Sequence, residues 1–348
     1  MLKVKLIVRY QNTGQFFYFC ETSFKPTNPL NTFRTHVDIP KTKRRICHEH
    51  NILSLGSCFA QNMGEKMQRY CFDAVVNPFG VQYNPASIAK GLQRLISEKE
   101  FEETEFFQHG SMWNSFMHSN LFSESRLSDI RKNANHRFSM AIHKLKVADY
   151  ILITPGTAWV YELAETNEIV SNCHKLPPSD FKRRRLRVEE IVESYCSIFE
   201  TLFSLNKKLC VVFTVSPIRH LKDGAHENNV SKAILHLAIT ELISRYPEQT
   251  EYFPAYEIMI DELRDYRFYA DDMIHPTTVA VDYIWESFSN LYFDNETKSM
   301  MKELETLRRM SVHRPIHVDS TETVNMKISL EMKRNALVSK YPVLRGRL

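Results

Sequence analysis

Short apolar runs alternate along this chain with stretches whose apolar residues recur at helical spacing. The runs at Ile52–Leu55, Ala74–Asn77, Tyr150–Pro155 and Leu209–Val215 are apolar on both faces, as strands buried within a parallel sheet should be. A weaker run lies near Tyr252–Ile258. After the first run, Phe59, Met63, Met67 and Tyr70 form one apolar stripe at i, i+4, i+8 and i+11, which predicts an amphipathic helix. Further helical patterns cover Pro85–Glu98, Val188–Leu205, Asn229–Tyr246 and Thr278–Phe293. Strand–helix alternation of this kind predicts a three-layer α/β/α sandwich around a mostly parallel five-stranded sheet. In such sheets, ligands bind beyond the carboxyl ends of the strands.

The ends of the chain read differently from its middle. Residues 1–33 form an irregular polar and aromatic leader, residues 34–310 the main domain, and residues 311–348 a C-terminal extension. Residues 99–146 are too long for a bare connection, so a helical insertion or cap is expected there.

Composition excludes some classes. The chain is 43% apolar and 25% charged with a formal charge of +4, ordinary values for a globular protein and weak support for a polyanionic partner. The densest basic run, Lys182–Arg187, lacks interleaved aromatics and reads as a solvated surface, so no nucleic acid is expected. No apolar segment reaches the roughly 18 residues of a membrane span, and the N-terminus lacks a secretory cleavage pattern. The 7 cysteines are scattered, with no Cys-x-x-Cys pair, which suggests reduced thiols in a cytoplasmic protein.

Candidate chemistry begins at Leu53–Gly64 (LSLGSCFAQNMG), where Ser57 and Cys58 stand at the turn from strand to helix. The plain reading of Ser57 is a helix cap. The functional reading uses the same position: a hydroxyl beside free helix-terminal amides attacks an acyl carbon, and the amides stabilise the oxyanion. That attack requires a base. Asp272 and His275 in Ala270–Pro276 (ADDMIHP) have a spacing that lets a carboxylate hold one imidazole nitrogen and leave the other for substrate. Pro276 suits the first turn of the helix that follows. Cys58 beside a helix N-terminus is a rival nucleophile, though free cysteines more often pack as small apolar groups. Cys47-His48-Glu49-His50 has metal-ligand residue types without a recognisable zinc pattern, and neither metal nor cofactor is expected.

These segments resemble the GSCFA family, whose name stands here as Gly56-Ser57-Cys58-Phe59-Ala60. Further matches are Asn77-Pro78-Phe79-Gly80, Tyr83-Asn84-Pro85, Gly156-Thr157-Ala158, Asn172-Cys173-His174-Lys175, Ser216-Pro217-Ile218-Arg219-His220 and Asp271–Pro276, in order across residues 34–310. That family is similar to the SGNH (GDSL-like) hydrolases, which have a flavodoxin-like fold. The resemblance implies an esterase with Ser57 as nucleophile, His275 as base and Asp272 as the acid that orients it. It implies an oxyanion hole from the Ser57 and Gly80 amides. Such enzymes place an asparagine donor where this chain has Ala158, so Thr157 or Asn172 would have to substitute. The implied substrate is a small acyl ester, acetyl on a carbohydrate, cleaved through an acyl-enzyme. Candidate substrate contacts are Trp113, His118, His174, Arg219 and His220. The alternatives are an O-acyltransferase acting on a sugar hydroxyl, and a carbohydrate-binding protein that keeps the fold with little catalysis.

Overall fold

The computed structural model describes residues 6–7, 19–20, 35–42, 44–312 and 321–348. Contacts divide the chain into two compact units, Met1–His36 and Val37–Leu348. In the first, Leu6–Ile7 pairs antiparallel with Phe19–Cys20. The rest of the expected leader lies outside the described residues.

The second unit is built on five strands: β1 (Asn51–Gly56), β2 (Asp73–Val76), β3 (Tyr150–Thr154), β4 (Cys210–Phe213) and β5 (Thr250–Tyr252). They lie in the order β5-β4-β3-β1-β2, and each neighbouring pair is parallel. The helices of this unit include α1 (Cys58–Arg69), α2 (Pro85–Ser97), α3 (Leu127–Lys146), α4 (Val188–Leu205), α5 (Ala225–Arg245), α6 (Thr278–Tyr292), α7 (Asn295–Val312) and α8 (Thr321–Lys340). Alternate strand residues feed two separate cores. Leu53, Ile151 and Val211 pack against residues of α2, α3, α4 and α5. Ile52, Leu152 and Val212 pack on the other face with Phe59, Met63 and Met67 of α1 and Ile284, Trp285 and Phe288 of α6. The expected three-layer α/β sandwich is therefore what forms.

Three details depart from the sequence reading. The weak run near Tyr252–Ile258 is strand only through Tyr252, and Ala255–Glu262 coils into α and then π turns. Pro254 has no N–H to extend the ladder, and Ala255, Ile258 and Met259 are buried at helical spacing. Pro276 does not enter the first turn of α6, whose cap is Thr277; it bridges Tyr269 instead. The basic run is not a free surface. Phe181–Arg185 pairs antiparallel with Trp159–Leu163, which also pairs with Ile169–Val170, making a three-stranded ribbon between β3 and α4. Every arginine in that strand has a carboxylate partner: Arg183 with Asp223, Arg184 with Glu162 and Glu190, Arg185 with Glu227.

Residues 99–146 hold a small ribbon, Phe107–His109 with Met112–Asn114, and then α3. Ile130, Ala134, Phe138 and Ala141 of α3 join the core, so this helix belongs to the layer covering the sheet. In the C-terminal segment, Leu337, Tyr341 and Leu344 pack with Met300, Leu304 and Leu307 of α7 and with Cys71. Among the described residues, no helix is long and apolar enough to cross a membrane.

Candidate active site

The corner at Ser57 is built by a close approach of two strands. Gly56 has φ 147°, and a Cβ there would lie 2.3 Å from the Thr154 carbonyl oxygen of β3, so only glycine fits. Its N–H donates to Asn77 Oδ1 at 2.8 Å, while Asn77 Nδ2 donates to Gln61 Oε1 at 3.0 Å. Asn77 stands in the left-handed region at φ 43°, so the Asn-Pro-Phe-Gly segment braces the end of β1 against α1. Ser57 follows as the N-cap of α1 and is fully buried. Its Oγ accepts from the Phe59 N–H at 3.2 Å, and its own N–H donates to Thr154 O at 3.0 Å.

The acid and base form a self-contained turn. Asp272 Oδ1 accepts from the backbone N–H groups of Ile274 and His275, each at 2.9 Å, and Oδ2 lies 2.6 Å from His275 Nδ1. These bonds, led by the His275 backbone amide and then its ring, hold the Asp272 carboxyl down at about 2. With Nδ1 engaged by the carboxylate, Nε2 is the nitrogen left for proton transfer. Both side chains are about half exposed, at 46% for His275 and 47% for Asp272.

His275 lines a cavity of about 440 Å³ together with Tyr83, Thr157, Asn172, Arg219 and His220. The floor is fixed by several loops at once. Tyr83 O accepts from Gly156 N–H at 2.7 Å and from Thr157 N–H at 3.0 Å. Lys232 of α5 donates through Nζ to Gly156 O at 2.6 Å and to Ser216 O at 2.7 Å. Ser231 beside it accepts from Ala158 N–H at 2.7 Å and pairs with the Thr157 hydroxyl at 3.0 Å. Gly156 also shows what faces Ser57: a Cβ there would lie 2.8 Å from His220 Nε2 and 3.5 Å from Ser57 Cβ. His220 Nε2 is buried without a hydrogen-bond partner. Burial, with help from the Lys232 and His275 charges, lowers this imidazole to about 3, so it is neutral at physiological pH. Among the described residues, no hydrogen bond joins Ser57 to His275.

The other sequence candidates divide cleanly. Arg219, His220, Thr157 and Asn172 line the cavity. Trp113, His118 and His174 do not. His118 is fully buried against Phe101 and Phe122, with Nδ1 2.9 Å from Ser115 Oγ. His174 is buried with Nε2 2.7 Å from the Ser115 carbonyl, and Trp113 packs against the larger core. Three of the proposed oxyanion groups, the Ser57 and Gly80 amides and the Thr157 hydroxyl, are engaged within the protein. Ser57 N–H donates to Thr154 O, and Gly80 N–H to Asn77 O at 2.8 Å, while the Thr157 hydroxyl meets Ser231. Asn172 Oδ1 accepts from His174 N–H at 2.8 Å. Cys58 Sγ rests 3.4 Å from the Tyr83 hydroxyl. In the Cys47–His50 segment, Cys47 Sγ lies 3.2 Å from His50 Nδ1 and 3.9 Å from Glu49 Oε2, and no group able to hold a metal ion occurs among the described residues.

Sequence reasoning missed Lys232, Arg183 and Trp159. Lys232 carried a readable signal, because it falls on the same helical stripe as Leu235, Ala238, Ile239 and Leu242, where a solvated lysine has no place. Arg183 was hidden inside a run that resembled surface, and it lies 4.4 Å over the Trp159 ring.

No curated protein matches the sequence. Among solved structures, the chain is similar to an acetyl xylan esterase (Est2A) from the rumen bacterium Butyrivibrio proteoclasticus, with 8% identity and a TM-score of 0.30. That match covers 73% of this chain and 64% of the esterase chain. The GSCFA family model matches residues 51–288, well over half of the sequence and spanning the whole of the sheet and both segments that carry Ser57 and His275; the protein belongs to the GSCFA family.

Proposed function

We propose that this protein is a serine hydrolase that cleaves a small acyl ester, acetyl on a carbohydrate, through Ser57. The observation that carries the reading is the Asp272–His275 pair, held at 2.6 Å on the wall of a cavity at the carboxyl end of the sheet. In the reaction, His275 Nε2 takes the Ser57 proton as Oγ attacks the carbonyl carbon. The tetrahedral intermediate collapses by expelling the alcohol, which receives that proton from His275. Water, deprotonated by the same imidazole, then attacks the acyl-enzyme, and the imidazole returns that proton to Ser57 Oγ as the acid leaves. Asp272 fixes the ring and stabilises its cationic form. Attack requires Ser57 to be uncovered and the 216–220 and 272–276 segments to close on the substrate, which is common when catalytic bonds tighten only in the complex.

One observation favours a second reading, a binding protein with little catalysis: Ser57 is buried, and its amide and that of Gly80 already have carbonyl partners. Fluorophosphonate labelling and p-nitrophenyl acetate turnover separate the two. The esterase reading expects labelling of the wild type and a loss of about 10³-fold or more in Ser57→Ala and in His275→Ala, with Cys58→Ala close to wild type. Turnover that persists in Ser57→Ala refutes the serine mechanism. A silent wild type supports the binding protein, and turnover that needs an added sugar acceptor identifies a transferase.

A further inference from the structure

The cavity wall carries more positive charge than the hydrolysis of a neutral ester requires. Its charged lining residues are Arg183, Arg219, Lys222 and Asp223, alongside the imidazoles of His220 and His275. Arg183 and Asp223 neutralise each other through a two-pronged pair. That pair also fixes Arg183 over the Trp159 ring, giving the wall a rigid aromatic face. His275 has Asp272 as its counter-charge. Two cations are left. Lys222 donates to the Tyr161 hydroxyl at 2.6 Å, and the Arg219 guanidinium lies 5.9 Å from the Tyr269 ring centre. Neither has a carboxylate within ion-pair distance among the described residues. Arg219 is also tied to the base, since its N–H donates to the carbonyl of Ile274, the residue before His275, at 3.3 Å.

Lys222 is exposed at the rim and shares the field of Asp223, whereas Arg219 is half-buried. Such excess positive charge on a concave wall concentrates anions and raises their capture rate, and an arginine fork is the side chain suited to an oxyacid group. We propose that the cavity selects an ester whose sugar-sized portion bears an anionic oxyacid group, a carboxylate or a phosphate, seated by Arg219 and Lys222 beside the Trp159 face. The assignment of an ester rests on the esterase reading above, whereas the recognition of the anion does not.

The test has two arms. In the first, Ser57→Ala protein, which cannot turn over an ester, is titrated with glucuronate, glucose 6-phosphate and glucose at low and high salt, with thermal stability as the readout. One or both anions should raise Tm where glucose does not; the effect should weaken with salt and drop about tenfold in apparent affinity in Arg219→Gln, with partial recovery in Arg219→Lys. The relative response to the two anions distinguishes carboxylate from phosphate. Equal responses to all three sugars, or none, overturn the proposal. In the second arm, wild type is assayed with 4-acetoxybenzoate and its neutral methyl ester. The anion should be preferred by about tenfold in kcat/KM, mostly through KM, and that ratio should fall towards one in Arg219→Gln. An unchanged ratio overturns the proposal. No turnover of either ester, with anion binding intact in the first arm, rejects the esterase reading and leaves anion recognition standing.

Discussion

Lys232 is the residue whose environment is most at odds with its chemistry. Its ammonium is fully buried, faces two carbonyl oxygens and has no carboxylate partner among the described residues, and burial lowers it from the ordinary 10.5 to about 7. Between those two values the unfolded chain still binds the proton that the native protein has released, so stability should rise with pH across that window. Below about pH 7 both states hold the proton and this contribution is flat. Chemical denaturation of wild type and Lys232→Met, compared from pH 6 to 10, should therefore show a pH-dependent difference that grows more favourable to wild type as pH rises. A constant difference would mean that the lysine is not perturbed. This residue also shows how unevenly single positions are legible. Ser57, Asp272 and His275 are visible in the sequence because short-range spacing builds their turn and cap. Lys232 acts on loops far away in the chain, and only packing reveals which carbonyls it meets. Trp113, His118 and His174 show the converse, since aromatic and imidazole side chains that suit a sugar also suit a core.

Elements were easier to read than single side chains where one physical cause dominates. The stripe through Phe59, Met63 and Met67 defines α1, and short two-faced apolar runs mark β1, β3 and β4, because a strand buried on both sides calls for apolar residues at successive positions. The apolar run at Tyr252–Ile258 continues past the end of β5 because an apolar run alone does not distinguish a buried strand from a buried helical turn. The ribbon carrying Arg183–Arg185 was invisible, since its charged residues meet partners contributed by distant helices and loops. The joint between β1 and β3 yields a sharp expectation. A methyl at Gly56 meets backbone, which has no rotamer to yield, so Gly56→Ala should cost on the order of 3 kcal/mol or more in urea denaturation. A variant within 1 kcal/mol of wild type would show that the strands can part without cost.

At the scale of the whole molecule, the order β5-β4-β3-β1-β2 places a topological switch beside β1, with the chain leaving to opposite sides, and the cavity opens at that end of the sheet. The C-terminal helix lies elsewhere, on α7 and Cys71. Deleting residues 321–348 should uncover Leu304 and Leu307 and lose the burial of Leu337, Tyr341 and Leu344, about 1.5–3 kcal/mol for each fully buried apolar side chain. Calorimetry should record a Tm lower by about 10 °C, while anion binding at the cavity persists. An unchanged Tm would mean that this helix adds nothing to the fold.

The placement of Ser57 after the first strand of the sheet and of His275 after the last has a consequence for synthesis. A ribosome adding about 5–20 residues per second leaves an interval of roughly 10–40 s between the emergence of the two. β3 emerges before that interval is half over, whereas the imidazole that the esterase reading assigns to the Ser57 proton arrives only at its end. On the proposed esterase reading, the nascent chain should be chemically silent until its own sheet is complete, and ribosome-arrested chains ending before residue 275 should resist fluorophosphonate labelling.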